Sequence, residues 1–145
     1  MRRVIVDANL LLLLVVCLGG REEIQKWNKR LSAYSVLDFD RLRGLLSDYS
    51  LVLLPHTLTE VSNMIGDVQD YKTNTARNVL QVLIKTSVEV YQPSANIVVR
   101  PEFQWLGLSD TAQLQAAEAE SCALVSADGA LIAAALKLGI EAFHF

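Results

Sequence analysis

The sequence predicts an α/β fold in which a mostly parallel central sheet lies between two layers of helices, a three-layer α/β/α arrangement. Short β-branched runs alternate with helix-length segments along the chain. Parallel neighbouring strands need crossover connections, which such helices supply. The chain has 145 residues, which is about the length of one domain with a single sizeable core. We therefore expect residues 1–145 to form one domain.

The spacing of apolar residues predicts the elements in order. The first half contains a strand at Arg3–Val6, a helix ending at Gly19-Gly20, a connection at 21–37 with at most a helical turn, a helix at Asp38–Ser47 and a strand at Ser50–Leu54. The second half contains helices at Thr57–Ile65 and Tyr71–Thr86, a short strand at Val88–Tyr91, an irregular stretch at 93–108, a helix at Ser109–Ser121, a strand at Cys122–Val125, a helix at Gly129–Leu138 and a strand at Ile140–Phe143.

The composition limits the class of protein. Hydrophobic residues make up 52% of the chain and charged residues 20%, which excludes a disordered polypeptide and leaves apolar surface for a homodimer or a protein partner. The longest apolar run, Leu10–Leu18, is shorter than the roughly 20 residues of a membrane-spanning helix. We therefore expect no membrane association and a cytoplasmic protein. The net charge of -3 provides no general attraction for nucleic acid, so any RNA affinity must be local.

Four acidic residues stand where predicted strands end or helices begin. They are Asp7 after the first strand, Glu60 in the first turns of the helix after the second strand, Asp110 at the start of the alanine-rich helix and Asp128 after the strand that follows it. Ligands of parallel sheets collect at the carboxyl ends of the strands. Because Mg²⁺ and Mn²⁺ prefer oxygen ligands, the sequence predicts a catalytic Mg²⁺ or Mn²⁺ site formed by these carboxylates.

Each carboxylate also has a purely structural alternative. Asp7 and Asp128 suit the N-cap positions of the helices that follow them. The segment Thr57-x-x-Glu60 fits a capping box, and Asp110 suits a helix N-terminus, where negative charge is favoured. These alternatives stay open for each residue alone, but they do not predict that all four carboxylates meet at one edge of one sheet.

Four segments each contain one acidic residue in a strand-to-helix or loop-to-helix context. They are Val4-Ile-Val-Asp7-Ala-Asn9-Leu, Leu54-Pro55-His-Thr-Leu-Thr-Glu60-Val, Leu106-Gly-Leu-Ser109-Asp110-Thr-Ala112 and Leu124-Val-Ser126-Ala-Asp128-Gly-Ala-Leu131. In order and spacing, these segments resemble the motifs of the PIN-domain nucleases, in particular small bacterial toxin ribonucleases. The polar segment 21–37 is longer than its counterpart in the smallest toxins, and the irregular stretch 93–108 is a second departure.

The resemblance implies a PIN-like fold and an endoribonuclease, a hydrolase that cuts RNA phosphodiester bonds. It makes Asp7, Glu60 and Asp110 the principal metal ligands, with Asp128 bound directly or through water. The residues that would orient these carboxylates by hydrogen bonds are Asn9 and Ser126. Small nucleases of this kind are usually held by an antitoxin, so the resemblance also implies the toxin of a toxin-antitoxin pair.

Contact with RNA would require basic residues at the rim of the site. The nearest approach to a cluster in the sequence is formed by Lys26, Lys29, Arg30, Arg41 and Arg43. An ordinary solvated surface is the alternative for these residues.

Two other functions remain open. A binding module could keep the fold and recognise RNA or protein without turnover. A phosphohydrolase of the haloacid-dehalogenase kind also begins with an Asp after a strand, but such enzymes need a second Asp two positions on, where this chain has Asn9.

Overall fold

The computed structural model describes residues 1–66 and 73–145, in which strands and helices alternate. The strands are β1 (Arg2–Val6), β2 (Tyr49–Leu53), β3 (Val88–Glu89), β4 (Ala123–Ser126) and β5 (Ala142–His144). The helices are α1 (Ala8–Leu18), α2 (Asn28–Leu31), α3 (Val36–Leu46), α4 (Pro55–Gly66), α5 (Thr73–Thr86), α6 (Ser94–Ile97), α7 (Phe103–Ala119) and α8 (Gly129–Lys137), and a 3-10 helix, Arg21–Trp27, lies between α1 and α2.

The strands form one five-stranded sheet in the order β3-β2-β1-β4-β5, and every neighbouring pair is parallel. From β1 the chain moves outward to β2 and β3, then returns to the other side of β1 with β4 and continues to β5. The direction of progression therefore reverses between β1 and β4. In open α/β sheets the crevice at the carboxyl ends of two such strands is where ligands bind.

Helices cover both faces of the sheet and form two apolar cores. Val4 and Val6 belong to the larger core, with α1, α3, α4 and α5. Ile5, between them in sequence, belongs to the smaller core, with α6, α7 and α8. This alternation is the period of two expected for a strand that is buried on both faces. The predicted three-layer α/β/α class with a parallel sheet is confirmed.

Helix α1 is the centre of the larger core. Every residue from Leu10 to Cys17 is buried, and α1 contacts the 3-10 helix, α3, α4 and α5. A helix segment that is apolar on all sides is buried in protein or in a membrane, and here protein surrounds Leu10 to Cys17. In the described parts of the chain, no helix is both long enough and apolar enough to cross a bilayer.

Two segments that the sequence predicted as weakly structured contain helices. Residues 21–37 include the 3-10 helix and α2, and Ile24, Trp27 and Leu31 are buried in the larger core. Residues 93–108 include α6 and the first turn of α7. Gly107 interrupts α7 with a φ of 78°, a conformation that glycine adopts without strain. The apolar residues before and after Gly107 therefore do not share one helical stripe, which hid the start of α7.

The other predicted elements are present with small shifts at their ends. Helix α4 begins at Pro55 rather than Thr57, because the fixed φ of proline suits the first position of a helix. The Ala-rich helix predicted from Ser109 is the later part of α7. The predicted start of the next helix, Tyr71, lies outside the described residues.

Replacing Leu11 by alanine should destabilise the protein by about 2 to 5 kcal/mol, because this fully buried side chain leaves a cavity that its neighbours fill only in part. Leu37→Ala is the matched control, since Leu37 is 76% exposed and its loss should change the free energy of unfolding by less than about 0.5 kcal/mol. Urea denaturation followed by circular dichroism measures both. Equal midpoints for the two variants would contradict the burial of α1.

Candidate functional site

The ends of β1 and β4 are joined at Asp7, the first residue after β1. Its backbone amide donates to the carbonyl of Val125 in β4 at 2.9 Å. Its carboxylate also caps α1, since Oδ1 accepts a hydrogen bond from the Ala8 amide at 2.8 Å. The helix-cap alternative is therefore correct for Asp7, and it is compatible with a second role for the same carboxylate.

Two side chains from other elements hold the Asp7 carboxylate. Gln113 of α7 donates from Nε2 to Oδ1 at 2.8 Å, and Ser126 at the end of β4 donates from Oγ to Oδ2 at 2.6 Å. Both donors are fully buried. Hydrogen bonds to an ionised group are stronger than those between neutral groups, so these two fix the carboxylate with respect to α7 and β4.

Ser126 also connects Asp7 to Asp128. While it donates to Asp7, its Oγ accepts a hydrogen bond from the Asp128 amide at 2.9 Å. Asp128 is the N-cap of α8, where its Oδ1 accepts from the amides of Ala130 at 2.9 Å and Leu131 at 3.4 Å. The N-cap alternative thus holds for Asp128 as well.

Glu60 connects α4 to α7. Its Oε1 accepts a hydrogen bond from the hydroxyl of Ser109, the neighbour of Asp110. The capping box between Thr57 and Glu60 is absent, because α4 begins at Pro55 and Thr57 lies inside the helix. The Thr57 hydroxyl is buried and has no hydrogen-bond partner among the described residues. The Glu60 carboxylate is therefore directed between helices rather than back onto its own helix.

Asp110 lies among the other three carboxylates. Burial raises the pKa of its carboxyl from the ordinary 3.8 to about 7, and the charges of Asp7 and Asp128, a hydrogen bond with Asp128 and the charge of Glu60 add to the rise. Like charges disfavour ionisation in this way only when they are close. The structure therefore places Asp7, Glu60 and Asp128 near Asp110 at the carboxyl ends of β1 and β4, and we refer to this region as the acidic crevice.

No ion pair between described residues neutralises one of these four carboxylates. The ion pairs within residues 1–66 and 73–145 join other side chains, and none includes one of the four carboxylates. Helix N-termini and neutral donors contribute only partial positive charges. The crevice therefore has an excess of negative charge, a condition that favours a bound cation.

The donor set fits a hard divalent cation by its chemistry, since such ions bind carboxylate and amide oxygens. The side chains do not form a closed coordination shell: the part of the chain that the structure describes contains no group of three or more Asp, Glu, His or Cys arranged to hold an ion. Asp7, Glu60 and Asp128 are instead directed to hydroxyl and amide donors of the protein. Beside Asp7, the Oε1 atom of Gln113 is buried and lacks a hydrogen-bond partner among the described residues.

The sequence prediction missed Gln113 and gave its role to Asn9. Asn9 is exposed in the first turn of α1, and the hydrogen bonds to the Asp7 carboxylate come from Ala8, Gln113 and Ser126 instead. Gln113 is a buried polar residue between Ala112 and Leu114, which are buried in the smaller core. A glutamine within an apolar stripe, one turn after Asp110, is the sequence signal that could have identified it.

The basic residues predicted to contact RNA lie on the 3-10 helix, α2 and α3 rather than among the carboxylates. Lys26 pairs with Glu23 at 3.0 Å. Arg41 stacks on the ring of Phe145 at 4.1 Å, and Phe145 donates its amide to the carbonyl of Ser126 at 2.8 Å. Arg41 is thus connected to the crevice through the end of β5. The remaining three are exposed, namely Lys29, Arg30 and Arg43.

The connection before α3 places an aromatic residue close to the crevice. Burial raises the pKa of the Tyr34 phenol, and the charges of Asp7 and Asp38 add to the rise. Because a carboxylate opposes a phenolate only at short range, Tyr34 lies near Asp7. Residues 21–37 therefore border the carboxylates on the side of the larger core.

Without a cation, the protein should lose stability as pH rises. The folded state keeps the Asp110 proton up to about pH 7, whereas the unfolded chain releases it near 3.8. The folded state therefore binds more protons within this window, and the free energy of unfolding falls as pH rises through it. Asp110→Asn should reduce this slope and raise the melting temperature above pH 7.

The matched control for that experiment is Asp48→Asn, which removes an exposed carboxylate at the amino end of β2 and should leave the slope unchanged. Thermal unfolding in EDTA, followed by circular dichroism over the pH range, measures all three proteins. Parallel curves of melting temperature against pH for the wild type and Asp110→Asn would contradict the raised pKa of Asp110 and the proximity of the other carboxylates.

Comparisons with known proteins identify the fold. The structure is similar to the crystal structure of PAE2754 from Pyrobaculum aerophilum, with a TM-score of 0.57 and 18% sequence identity over 91% of this chain and 78% of that chain. No family model and no curated protein matches the sequence. At this level of identity the similarity establishes a shared fold alone, so the candidate function depends on the residues of the crevice.

Proposed function

We propose that this chain is a metal-dependent endoribonuclease of the PIN-domain type, which hydrolyses RNA phosphodiester bonds with Mg²⁺ or Mn²⁺. The observation that carries the proposal is the proximity of Asp7, Glu60 and Asp128 to Asp110 in the acidic crevice, where burial and their charges raise the pKa of Asp110. These are the carboxylates that the motif resemblance selects. Their position at the reversal between β1 and β4 supports a ligand site.

The chain's own residues would prepare this site for catalysis. When bound, a divalent cation supplies neutralising charge for the phosphodiester and a bound water of lowered pKa. Gln113 and Ser126 keep the Asp7 carboxylate in one orientation. Asp110 has a pKa of about 7, so its carboxyl releases its proton readily once positive charge joins its surroundings.

The contacts of Asp7 favour a metal-holding role over that of a nucleophile. Oδ1 accepts hydrogen bonds from Ala8 and Gln113, and Oδ2 accepts one from Ser126. A phosphohydrolase of the haloacid-dehalogenase kind would need one of these oxygens to attack phosphate and a second Asp at position 9, where the chain has Asn. A binding module without turnover has the same fold, and the absence of cleavage would identify it.

The resemblance and the composition each support a proposal about a partner. An antitoxin would cover the crevice if the chain is the toxin of a toxin-antitoxin pair. The apolar composition, 52% hydrophobic residues, supports a homodimer. Light scattering on the purified chain, alone and with the product of an adjacent small gene, distinguishes these assemblies.

Asp110→Asn should abolish cleavage of RNA, because it removes a central carboxylate of the crevice. The wild type and the control Asp48→Asn should cut labelled mixed-sequence RNA in Mg²⁺ or Mn²⁺ and should not cut it in EDTA. The rate with Asp110→Asn should fall by more than the roughly 10- to 100-fold loss typical of residues that only support metal ligands. Cleavage that persists in EDTA, or no cleavage by the wild type with either ion, would refute the proposed function.

Gln113→Met tests how the Asp7 carboxylate is held. Methionine has a similar length but cannot donate to Asp7, so cleavage should slow by about 10- to 100-fold. The melting temperature should change little, because the substitution also removes the buried, unpaired Oε1 atom. Gln104→Met, at an exposed position of α7, is the control. A normal rate with Gln113→Met would show that Asp7 does not depend on this hydrogen bond.

A further inference from the structure

Next to the acidic crevice, α7 and α8 border an open cavity of about 770 Å³. Its lining residues are Trp105 of α7 and Ala130, Ala133, Ala134, Leu136 and Lys137 of α8. The small side chains of the three alanines leave space above α8, and the indole of Trp105 lies at the side of this space. Ligand sites commonly have volumes of about 300 to 1,000 Å³, so this cavity is large enough for one.

Trp105 is 63% exposed, yet it lies on an anchored segment. Arg100 pairs with Glu102 at 3.1 Å and with Glu118 at 2.9 Å, which joins the start of α7 to its later part. Gly107 breaks the helix directly after this first turn, so the turn that contains Trp105 departs from the axis of the rest of α7. A largely uncovered indole on an anchored segment of backbone is available to a ligand.

The cavity borders Asp128 at the start of α8. Ala130 lines the cavity, and its amide donates to the Asp128 carboxylate at 2.9 Å. Trp105 and Asp110 lie on either side of Gly107 in α7. If one phosphodiester of a nucleic acid strand lies at the carboxylates, a neighbouring nucleotide would extend past Ala130 toward the indole.

Lys137 supplies positive charge at the C-terminal end of α8. It is exposed and forms no ion pair with the described residues. An aromatic wall and a nearby cation match the two parts of a nucleotide, since the base stacks on the ring and the phosphate attracts the ammonium. An apolar peptide would match the wall but would gain nothing from Lys137.

We propose that this cavity is a nucleotide subsite, in which Trp105 stacks on an unpaired base of single-stranded RNA and Lys137 contacts a neighbouring phosphate. The inference rests on the proposed nuclease function and names the substrate class of that site. A base inside a duplex is already stacked on its neighbours, so single-stranded RNA should be preferred over double-stranded RNA.

The fluorescence of Trp105 tests the subsite directly. The chain has two tryptophans, and Trp27 is 2% exposed, so it cannot stack on a ligand. Oligouridine is titrated into the wild-type protein in EDTA, which prevents metal-dependent cleavage. The expected result is quenched emission and protection of Trp105 from iodide, with a much smaller effect from duplex RNA.

Substitutions then separate stacking from charge. Trp105→Ala should weaken oligouridine binding, measured by fluorescence anisotropy, by about tenfold or more, and Trp105→Phe, which keeps an aromatic ring, should weaken it less. Lys137→Gln should make the plot of log RNA affinity against log salt concentration less steep, by the amount expected for the loss of about one phosphate contact. The matched control is Tyr91→Ala, which removes an aromatic side chain that is 69% exposed and follows β3 at the opposite edge of the sheet.

Equal RNA affinity of Trp105→Ala and Tyr91→Ala, or equal quenching by single-stranded and duplex RNA, would overturn the subsite. Protection of Trp105 from iodide before RNA is added, together with a dimer mass by light scattering, would show that a second copy covers the cavity and would also overturn it. Quenching and weakened binding as expected, but without cleavage in Mg²⁺ or Mn²⁺, would support the subsite and reject the nuclease.

Discussion

The reversal of strand order between β1 and β4 is the constraint on which the candidate site depends. It places Asp7, after β1, against the end of β4, while α4 and α7 bring Glu60 and Asp110 to the same edge from opposite faces of the sheet. No ion pair among the described residues involves these carboxylates, and burial, with the neighbouring negative charges, raises the pKa of Asp110. A fold that only needed stability would gain from a neutral side chain at this position.

Hydrogen bonds explain how the fold tolerates these charges. Asp7 and Asp128 each cap a helix, so each carboxylate lies at the partially positive N-terminus of a helix. Ser126 supports both segments through a single buried hydroxyl, which donates to Asp7 and accepts from the Asp128 amide. The capping role and the proposed catalytic role are compatible, because a carboxylate has two oxygens with several lone pairs and can accept a capping hydrogen bond and still bind a cation.

The strands and the four acidic residues could be predicted because their signals are local: apolar runs of strand length, each followed by a carboxylate or by a helix that contains one. The sequence signal for Gln113 is weaker, a glutamine among buried apolar neighbours, since its contact with Asp7 depends on how α7 is rotated against β1. The basic residues between Lys26 and Arg43 are near one another in sequence, but the fold places Arg41 on Phe145. Conversely, Trp105 and Lys137 are distant in sequence and line one cavity, a relation that arises only from packing.

The central claim is that Asp7, Glu60, Asp110 and Asp128 share a cation. A crystal structure of the protein soaked in Mn²⁺, with anomalous scattering recorded at the manganese edge, tests this claim most directly. The expected result is an anomalous peak beyond the ends of β1 and β4, which marks a manganese ion bound by at least two of these carboxylates. The carboxylate side chains that now accept hydrogen bonds from protein donors should rotate toward the ion. An empty crevice in crystals that bind Mn²⁺ elsewhere on the surface would contradict the claim.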